Sequence, residues 1–404
     1  MKVLILAAGK GERLEPITHT RPKAFVPILD VPLIMHTISM VSRYANKSEI
    51  FIIISEDMKD YFTKKLPDVN FLIQDTTIKG TAAALKTASK LKDDEFIVIY
   101  GDLFFGEDAL KALFSTDFSN VVLGIKVKNP KDYGLISVTS DGELQKIVEK
   151  PKVPFTDLIN GGIYKFSGDI FTYLEKIEQS PRGEYELTDA INLMALNQRI
   201  KVETYNGYWL DLGKPWQVIE ANKIALDNIE ESRIYGNVEE NVKIKGKVII
   251  EEGTIVKSGT YIEGPVYIGK GAIVGPNSYV RPYTVIGHDA KVGAFVEVKE
   301  SVVMEKARLP HLNYVGDSVI CEDVNFGAGT LIANLRFDEA EVSMYIKGVK
   351  VNSGRKKLGA IVGGHVRTGI NVSIMPGVKI GAYAWIYPNV VVKRDVKFGE
   401  KVMV

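Results

Sequence analysis

A single cysteine, Cys321, stands in a chain of 404 residues. No disulfide can form within the chain, so its folding must rest on buried apolar surface. Long apolar runs are missing as well. None reaches the roughly 18 to 20 residues that a membrane-spanning helix needs. The N-terminal run Val3 to Ala8 is too short for a signal peptide and passes directly into a glycine turn, so it reads as a buried strand. Nor is there a surplus of charge, since 51 Lys and Arg face 50 Asp and Glu for a net charge of +1. That balance excludes a broad basic face for nucleic acid or anionic lipid, and any anion the chain binds must be held by a local cluster. The cytoplasm is the expected compartment.

What is present divides into two halves with different periods. From Met1 to about Asp227, short β-rich runs (Lys2–Ala8, Ile50–Ser55, Phe96–Tyr100, Val121–Val127) alternate with helical patterns such as Ile34–Tyr44 and Gly80–Leu91. Alternation of this kind predicts a layered α/β domain with a mostly parallel sheet. A helix over Pro215 to about Ile229 closes it. From Val238 an aliphatic residue then recurs at every sixth position: Ile244, Ile250, Val256, Ile262, Ile268, Val274, Val280, Ile286, Val292 and Val298. The spacing resumes at Ile320, Phe326 and Ile332, and again at Ile374, Ile380, Ile386 and Val392. A period of six fits neither helix nor strand. It fits a coil with three short sides, each contributing one inward residue. The Lys- and Arg-rich break from Leu335 to Leu358 reads as a loop thrown out of that coil. The expected boundaries are residues 1–230 for the α/β domain and 231–404 for the coil.

The first chemical signal is the string LAAGKGERLEPITHTRPKAFVP, Leu6 to Pro27, directly after the first strand. Gly9 and Gly11 are expected to take φ > 0 and turn N–H groups toward an anion, with Arg13 and Lys23 adding full charge. The G-x4-G-K-[ST] pattern is absent, and Leu14 stands where a dinucleotide fingerprint needs its third glycine. An Asp ends an apolar strand in Tyr100-Gly101-Asp102, a costly position that favours a metal ligand over a plain cap. The string with its R-x9-K spacing resembles the signature of the sugar-1-phosphate nucleotidylyltransferases, and the likeness continues in order along the first half. The resemblance implies a Rossmann-like domain in which Gln74, Gly80 and Thr81 read the base and Asp102 and Asp211 hold Mg²⁺. It also implies that Gly134, Glu149, Lys150 and Asn160 contact the sugar phosphate. The reaction would join UTP or dTTP to a hexose 1-phosphate.

The six-residue period resembles the hexapeptide acyltransferases, which implies a left-handed parallel β-helix and a homotrimer. The segments VRPYTVIGHDAKVGAFVEVK, ARLPHLNYVGD and DVNFGAGTLIAN resemble the acetyltransferase half of the bifunctional family that acetylates glucosamine 1-phosphate before uridylylating the product. Carried over, Arg281, Lys299, Tyr314, Asn325 and Asn334 would bind the sugar phosphate, His311 would act as general base, and Ala328 would contact acetyl-CoA. A neutral imidazole suits the base role because its ordinary pKa lies nearest the working pH. His19, His36, His288 and His365 are read as structural. The family has a Tyr and then a Lys after the second asparagine, where this chain has Leu335 and Ala340, and a basic C-terminal tail is missing. Lys347, Lys350, Lys356 and Lys357 could substitute for these cations. Two alternatives stand beside this bifunctional reading. One is a nucleotidylyltransferase whose coil serves only as a trimerisation scaffold. The other is a non-catalytic relative such as a translation-initiation exchange-factor subunit, and intact Arg13, Lys23, Asp102 and Asp211 speak against it.

Overall fold

The computed structural model describes residues 1–92 and 94–403, which separate into two compact units. One comprises Met1–Gly9 with Leu33–Asp211, and the other comprises Lys10–Pro32 with Leu212 onward.

The first unit is built on a nine-stranded sheet among the described residues. Lys2–Leu6 lies at its centre, pairing in parallel with Ile50–Ser55 on one side and Phe96–Tyr100 on the other. These are the expected apolar runs, and they are continuous because both faces of a central parallel strand are covered. Val3, Leu4, Ile5, Ile97, Val98 and Ile99 are fully buried. The sheet is mixed, where a mostly parallel one was expected. Leu158–Phe166 runs antiparallel to Phe96–Tyr100, to Val121–Lys126 and to Gly134–Val138, and the last pairs antiparallel with Leu144–Glu149. Only Gly134–Val138 and Leu144–Glu149 are joined by a short turn, which returns the chain antiparallel; Leu158–Phe166 instead inserts antiparallel between strands distant in sequence. The helices are shorter than their apolar patterns. Leu33–Val41 replaces Ile34–Tyr44, and Thr81–Lys86 begins only after Gly80, whose φ of 115° is not helical.

In the second unit Gln217–Asp227 is helical, and a three-sided parallel β-helix follows. Strands of two to four residues stack in three sheets, so that Ile250, Ile268, Ile286, Val303, Ile320, Val362 and Ile380 form one inward column. These side chains are at most 1% exposed. Burying each stabilises the coil by about 1.5 to 3 kcal/mol. The six-residue spacing lapses between Val298 and Ile320, as the sequence pattern showed, but the coil itself is not interrupted there. The core runs on through Val303, Leu309 and Val315, and two sides are simply one residue shorter. At the corners the backbone turns through φ > 0, often at Asn or Asp, such as Asn277, Asp289, Asp323 and Asn371. Buried hydroxyls satisfy corner carbonyls, as when Ser278 Oγ donates to Gly293 O at 2.6 Å. The break after Asn334 is a hairpin, with Ser343–Ile346 antiparallel to Val349–Asn352. No helix among the described residues is long and apolar enough to cross a membrane.

Candidate active sites

In the first unit several predicted residues lie where the parallel strands end, Gln74 closing Asn70–Gln74 and Asp102 following Phe96–Tyr100, while Gly134 and Asn160 lie near the starts of antiparallel strands. Trp209–Asp211 pairs antiparallel with Leu103–Phe105, and the register sets Asp211 opposite Leu103, the neighbour of Asp102. Two half-buried carboxylates separated by more than a hundred residues in sequence thus share one ribbon. Among the described residues no group of three or more His, Cys, Asp or Glu could hold an ion by itself. A pair of oxygen donors suits Mg²⁺, which keeps several ligands from water and substrate phosphates.

A buried polar chain connects this ribbon to other predicted contacts. Asn160 Nδ2 donates to Tyr164 Oη at 2.7 Å, and Tyr164 Oη donates to Tyr100 Oη at 3.1 Å. Burial pushes both phenols above their ordinary range, and Thr81 also bonds Tyr100. Ile159 sits opposite Leu135, which sets Asn160 beside Gly134, and Gly134 pairs with Glu149. On the nucleotide side, Gln74 Nε2 donates to Ile78 O at 3.1 Å within the turn that ends at Gly80. Gly80 is required there, because a Cβ would stand 2.2 Å from Tyr185 O. Tyr185 N donates to Lys79 O, and Leu187 N donates to Thr81 Oγ1. The chain around Tyr185 is therefore strapped to the predicted base-reading turn.

That strap carries residues the motif reading missed. Glu149 and Lys150 line an open groove of about 850 Å³ together with Arg182, Glu186 and Asp189. Arg182 lies 2.9 Å from Glu186 and 3.8 Å from Glu149. Burial holds Glu186 above the usual carboxylate range even though Arg182 pulls it down. The signal was present as PRGEYELTD, a charged string with Pro and Gly at a helix start.

Gly11, Arg13 and Lys23 belong to the second unit. Gly11 has φ of 71°, as expected, and a Cβ there would lie 3.1 Å from Lys23 Cβ, so the turn and the lysine are in direct register. Gly9 does not take φ > 0; a Cβ there would meet no atom within 4 Å. The 3₁₀ turn Glu12–Leu14, capped by Gly11, reverses the chain without it and presents Arg13 to solvent.

The second cluster lies on the coil. Val280, Val298 and Val315 point inward in one column, so Arg281 and Lys299 stand outward on successive rungs, and Glu297 and Tyr314 form a neighbouring outward pair. Asn334 Nδ2 donates to Tyr314 Oη at 3.2 Å and to Asp317 at 2.5 Å, and Lys299 Nζ donates to both Asp317 oxygens at 3.1 Å. His311 is exposed at the end of Arg308–His311, beside the corner that leads to Tyr314. Asn313 pins that corner by donating to Gly327 O and Thr330 O. Arg308 pairs with Asn325, and the same register continues to set Ala328 one rung from His311. The Ala328 carbonyl accepts the Asn371 N–H at 2.8 Å.

Two residues here were not anticipated. Asp317, 1% exposed, gathers Lys299, Asn334 and Arg355. Arg355 Nη2 lies 2.6 Å from Glu300, which Lys223 also reaches at 3.0 Å. Burial alone would raise Glu300, and these two cations more than offset it. The cation brought to Asp317 comes from the root of the hairpin, while Lys350, Lys356 and Lys357 face solvent and Lys347 pairs with Glu12. Only the folded hairpin reveals this. The other histidines pack locally: His365 bonds Asp323 and stacks on Tyr383, His288 bonds Asp30, and His36 meets Phe104 edge-on.

Residues 2–228 match the nucleotidyl transferase family, and residues 262–369 match the GMPPB C-terminal domain. The chain is 61% identical over 400 residues to a bifunctional sugar-1-phosphate nucleotidylyltransferase/acetyltransferase of Sulfurisphaera tokodaii, covering 99% of both. It is 47% identical to the bifunctional protein GlmU of Methanocaldococcus jannaschii, covering 98% of this chain and 96% of that one. Among solved structures, a Bacillus anthracis protein provisionally assigned as a glucose-1-phosphate thymidylyltransferase, in complex with a sucrose, is similar. It has 28% identity and a TM-score of 0.50, covering 58% of this chain and 98% of that one.

Proposed function

The chain belongs to the family of bifunctional sugar-1-phosphate nucleotidylyltransferase/acetyltransferases, and from that premise we propose how its residues divide the two reactions. In the first, a phosphate oxygen of a hexose 1-phosphate attacks the α-phosphorus of UTP or dTTP. The bond from that phosphorus to its bridging oxygen breaks, and pyrophosphate leaves in line. Both reactants are polyanions, so the protein's task is to neutralise repulsion and hold geometry. Arg13 and Lys23 meet the leaving phosphates. Asp102 and Asp211 hold Mg²⁺, which supplies further charge neutralisation when bound. Gln74, Gly80 and Thr81 take the base, and Gly134, Glu149, Lys150 and Asn160, joined by Arg182, take the sugar phosphate. The observation that carries this reading is the register that brings Asp211 to the neighbour of Asp102.

In the second reaction His311 takes a proton from the ammonium of an amino-sugar 1-phosphate. The freed nitrogen attacks the thioester carbonyl of acetyl-CoA, the carbon–sulfur bond breaks, and the second proton shed by the nitrogen as the amide forms ends on the departing sulfur, which leaves as thiol. Arg281, Lys299, Tyr314, Asn325 and Asn334 hold the sugar phosphate, with Arg355 in place of the lysine the family supplies. Ala328 contacts acetyl-CoA, and exposed Arg308, bridged to Asn325, offers charge for the coenzyme's phosphates. A homotrimer is supported by apolar side chains left on the coil's surface, among them Phe295 at 63% and Leu312 at 58% exposure. The lone, buried Cys321 fits a cytoplasmic enzyme.

The test supplies purified protein with Mg²⁺, UTP or dTTP, and glucose 1-phosphate or N-acetylglucosamine 1-phosphate. In parallel it supplies acetyl-CoA with glucosamine 1-phosphate. Pyrophosphate release in the first and thiol release in the second are expected. Release of pyrophosphate without thiol would reduce the coil to a scaffold, and neither product would overturn the assignment of both sites.

A further inference from the structure

Within the second unit, four residues of the stretch from His19 to Asp30, namely His19, Thr20, Arg21 and Asp30, meet a single outward column of the coil. The inward register Ile286, Val303, Ile320, Val362, Ile380 places His288, Glu305, Glu322, Gly364 and Ala382 on five successive rungs, two residues after each inward side chain. Each of these rungs meets a residue of that stretch. Ala382 N donates to His19 Nδ1 at 3.2 Å. A Cβ on Gly364 would lie 3.0 Å from Thr20 Oγ1. Arg21 Nη2 donates to Glu322 at 2.6 Å and to Glu305 at 2.7 Å, and Asp30 accepts from the His288 backbone N–H at 2.9 Å.

The centre of this arrangement is charged and enclosed. Arg21 is 8% exposed. Glu305 and Glu322 stand in one column on adjacent rungs, about 4.8 Å apart at the backbone, where like charges repel. Burial pushes Glu305 up, yet Arg21 holds it below the usual carboxylate range. The pair of carboxylates is thus stable only with a cation between them, and the coil offers a socket that fits a guanidinium arriving from residue 21. Buried ion pairs of this kind add little net stability, but they fix position closely. Lys23 follows after one proline, whose φ is −60°, and Gly11 packs on Lys23 Cβ. The position of Arg21 therefore passes through a single rigid residue to Lys23 and from there to the Gly11 turn beside Arg13.

We infer that Arg21, seated between Glu305 and Glu322, is a positioning residue for nucleotidyl transfer: the coil is the template on which the segment carrying Arg13 and Lys23 is set. This rests on the assignment of Lys23 to the leaving phosphates. A misplacement of about 1 Å at such a group can lower the rate about 100-fold.

The test uses the full chain in five forms: wild type, Arg21→Gln, Arg21→Lys, the neutral triple variant Arg21→Gln with Glu305→Gln and Glu322→Gln, and Lys23→Ala. The triple variant removes all three charges together, so that no buried carboxylate is left unpaired. Pyrophosphate release and acetyl transfer are measured on each, well below its melting temperature. Nucleotidyl transfer is expected to fall about 10- to 100-fold in Arg21→Gln and in the triple variant. Acetyl transfer, carried out on the same coil, should stay within about twofold of wild type, and Arg21→Lys should recover part of the loss because it keeps the charge but not the fork. Wild-type pyrophosphate release in the folded triple variant would overturn the inference, as would a parallel fall in both activities. If Lys23→Ala releases pyrophosphate undiminished, the assignment of the loop fails and the inference with it. Loss in Lys23→Ala alongside wild-type release in Arg21→Gln overturns the inference alone.

Discussion

The sheet unit and the coil assemble their functional groups by opposite means. In the sheet, Asp102, Asp211, Thr81 and Asn160 come from strands and turns far apart in sequence and are united by pairings such as Asp211 opposite Leu103 and by the Asn160–Tyr164–Tyr100 chain. In the coil, Arg281, Lys299 and Tyr314 are neighbours because the backbone repeats, and each rung repeats the column of the one before. A site made by irregular long-range pairing depends on a few special positions. A site made by repetition depends on the regularity of the stack.

The largest effect that could break this contrast is on nucleotidyl transfer. Lys23→Ala is expected to lower turnover by several decades, each equivalent to about 1.4 kcal/mol of barrier, with acetyl transfer unchanged. A parallel loss of acetyl transfer would show that the two chemistries are not separate. Next in size is the coil's interior. Ile286→Ala should cost about 2 to 5 kcal/mol, read as a lowered melting transition. Hydrogen exchange should show fastest opening at the end rungs near Arg233 and Lys401, because each rung contacts only its neighbours. Uniform protection from end to end would contradict the repeat picture. In the sheet unit, Gly80→Ala must displace Tyr185 backbone, and should raise the KM for the nucleotide about 10- to 100-fold. An unchanged KM would separate the strap from the base-reading turn.

The smallest effect is a pH dependence confined to the coil unit. The hydrogen bond to Asp30 raises His288 above its ordinary pKa of 6.5, against burial, with Glu305 and Asp289 adding to the rise. A group raised in the folded state stabilises it fully below 6.5, and the gain is lost as pH climbs through the folded pKa. The melting temperature should therefore decline slightly above pH 6.5, and His288→Gln should flatten that decline.

The same contrast explains what could be read before folding. The coil's inward column was legible almost residue by residue, since Ile244 through Val298 declare a period that only one geometry satisfies. Its exceptions were not. Two sides shorten by one residue at Val303 and Ile320 because the corners absorb the change, and a local pattern cannot reveal that. In the sheet unit the buried strands were plain, but Leu158–Phe166 inserts antiparallel between strands distant in sequence, which no local pattern declares, so the sheet proved mixed. Individual site residues stood out through motif resemblance, whereas their supports did not. Arg182, Asp317 and Arg355 belong to no fixed spacing from the residues they serve, and the partners of Arg21 lie 284 and 301 residues away in sequence.

The most direct test of two separate sites is a crossed pair of substitutions assayed for both reactions. Asp102→Ala should abolish pyrophosphate release while thiol release from acetyl-CoA continues at the wild-type rate, and His311→Ala should do the reverse, losing acetyl transfer by about 10²- to 10⁴-fold. Wild-type pyrophosphate release by Asp102→Ala, or wild-type acetyl transfer by His311→Ala, would contradict the account.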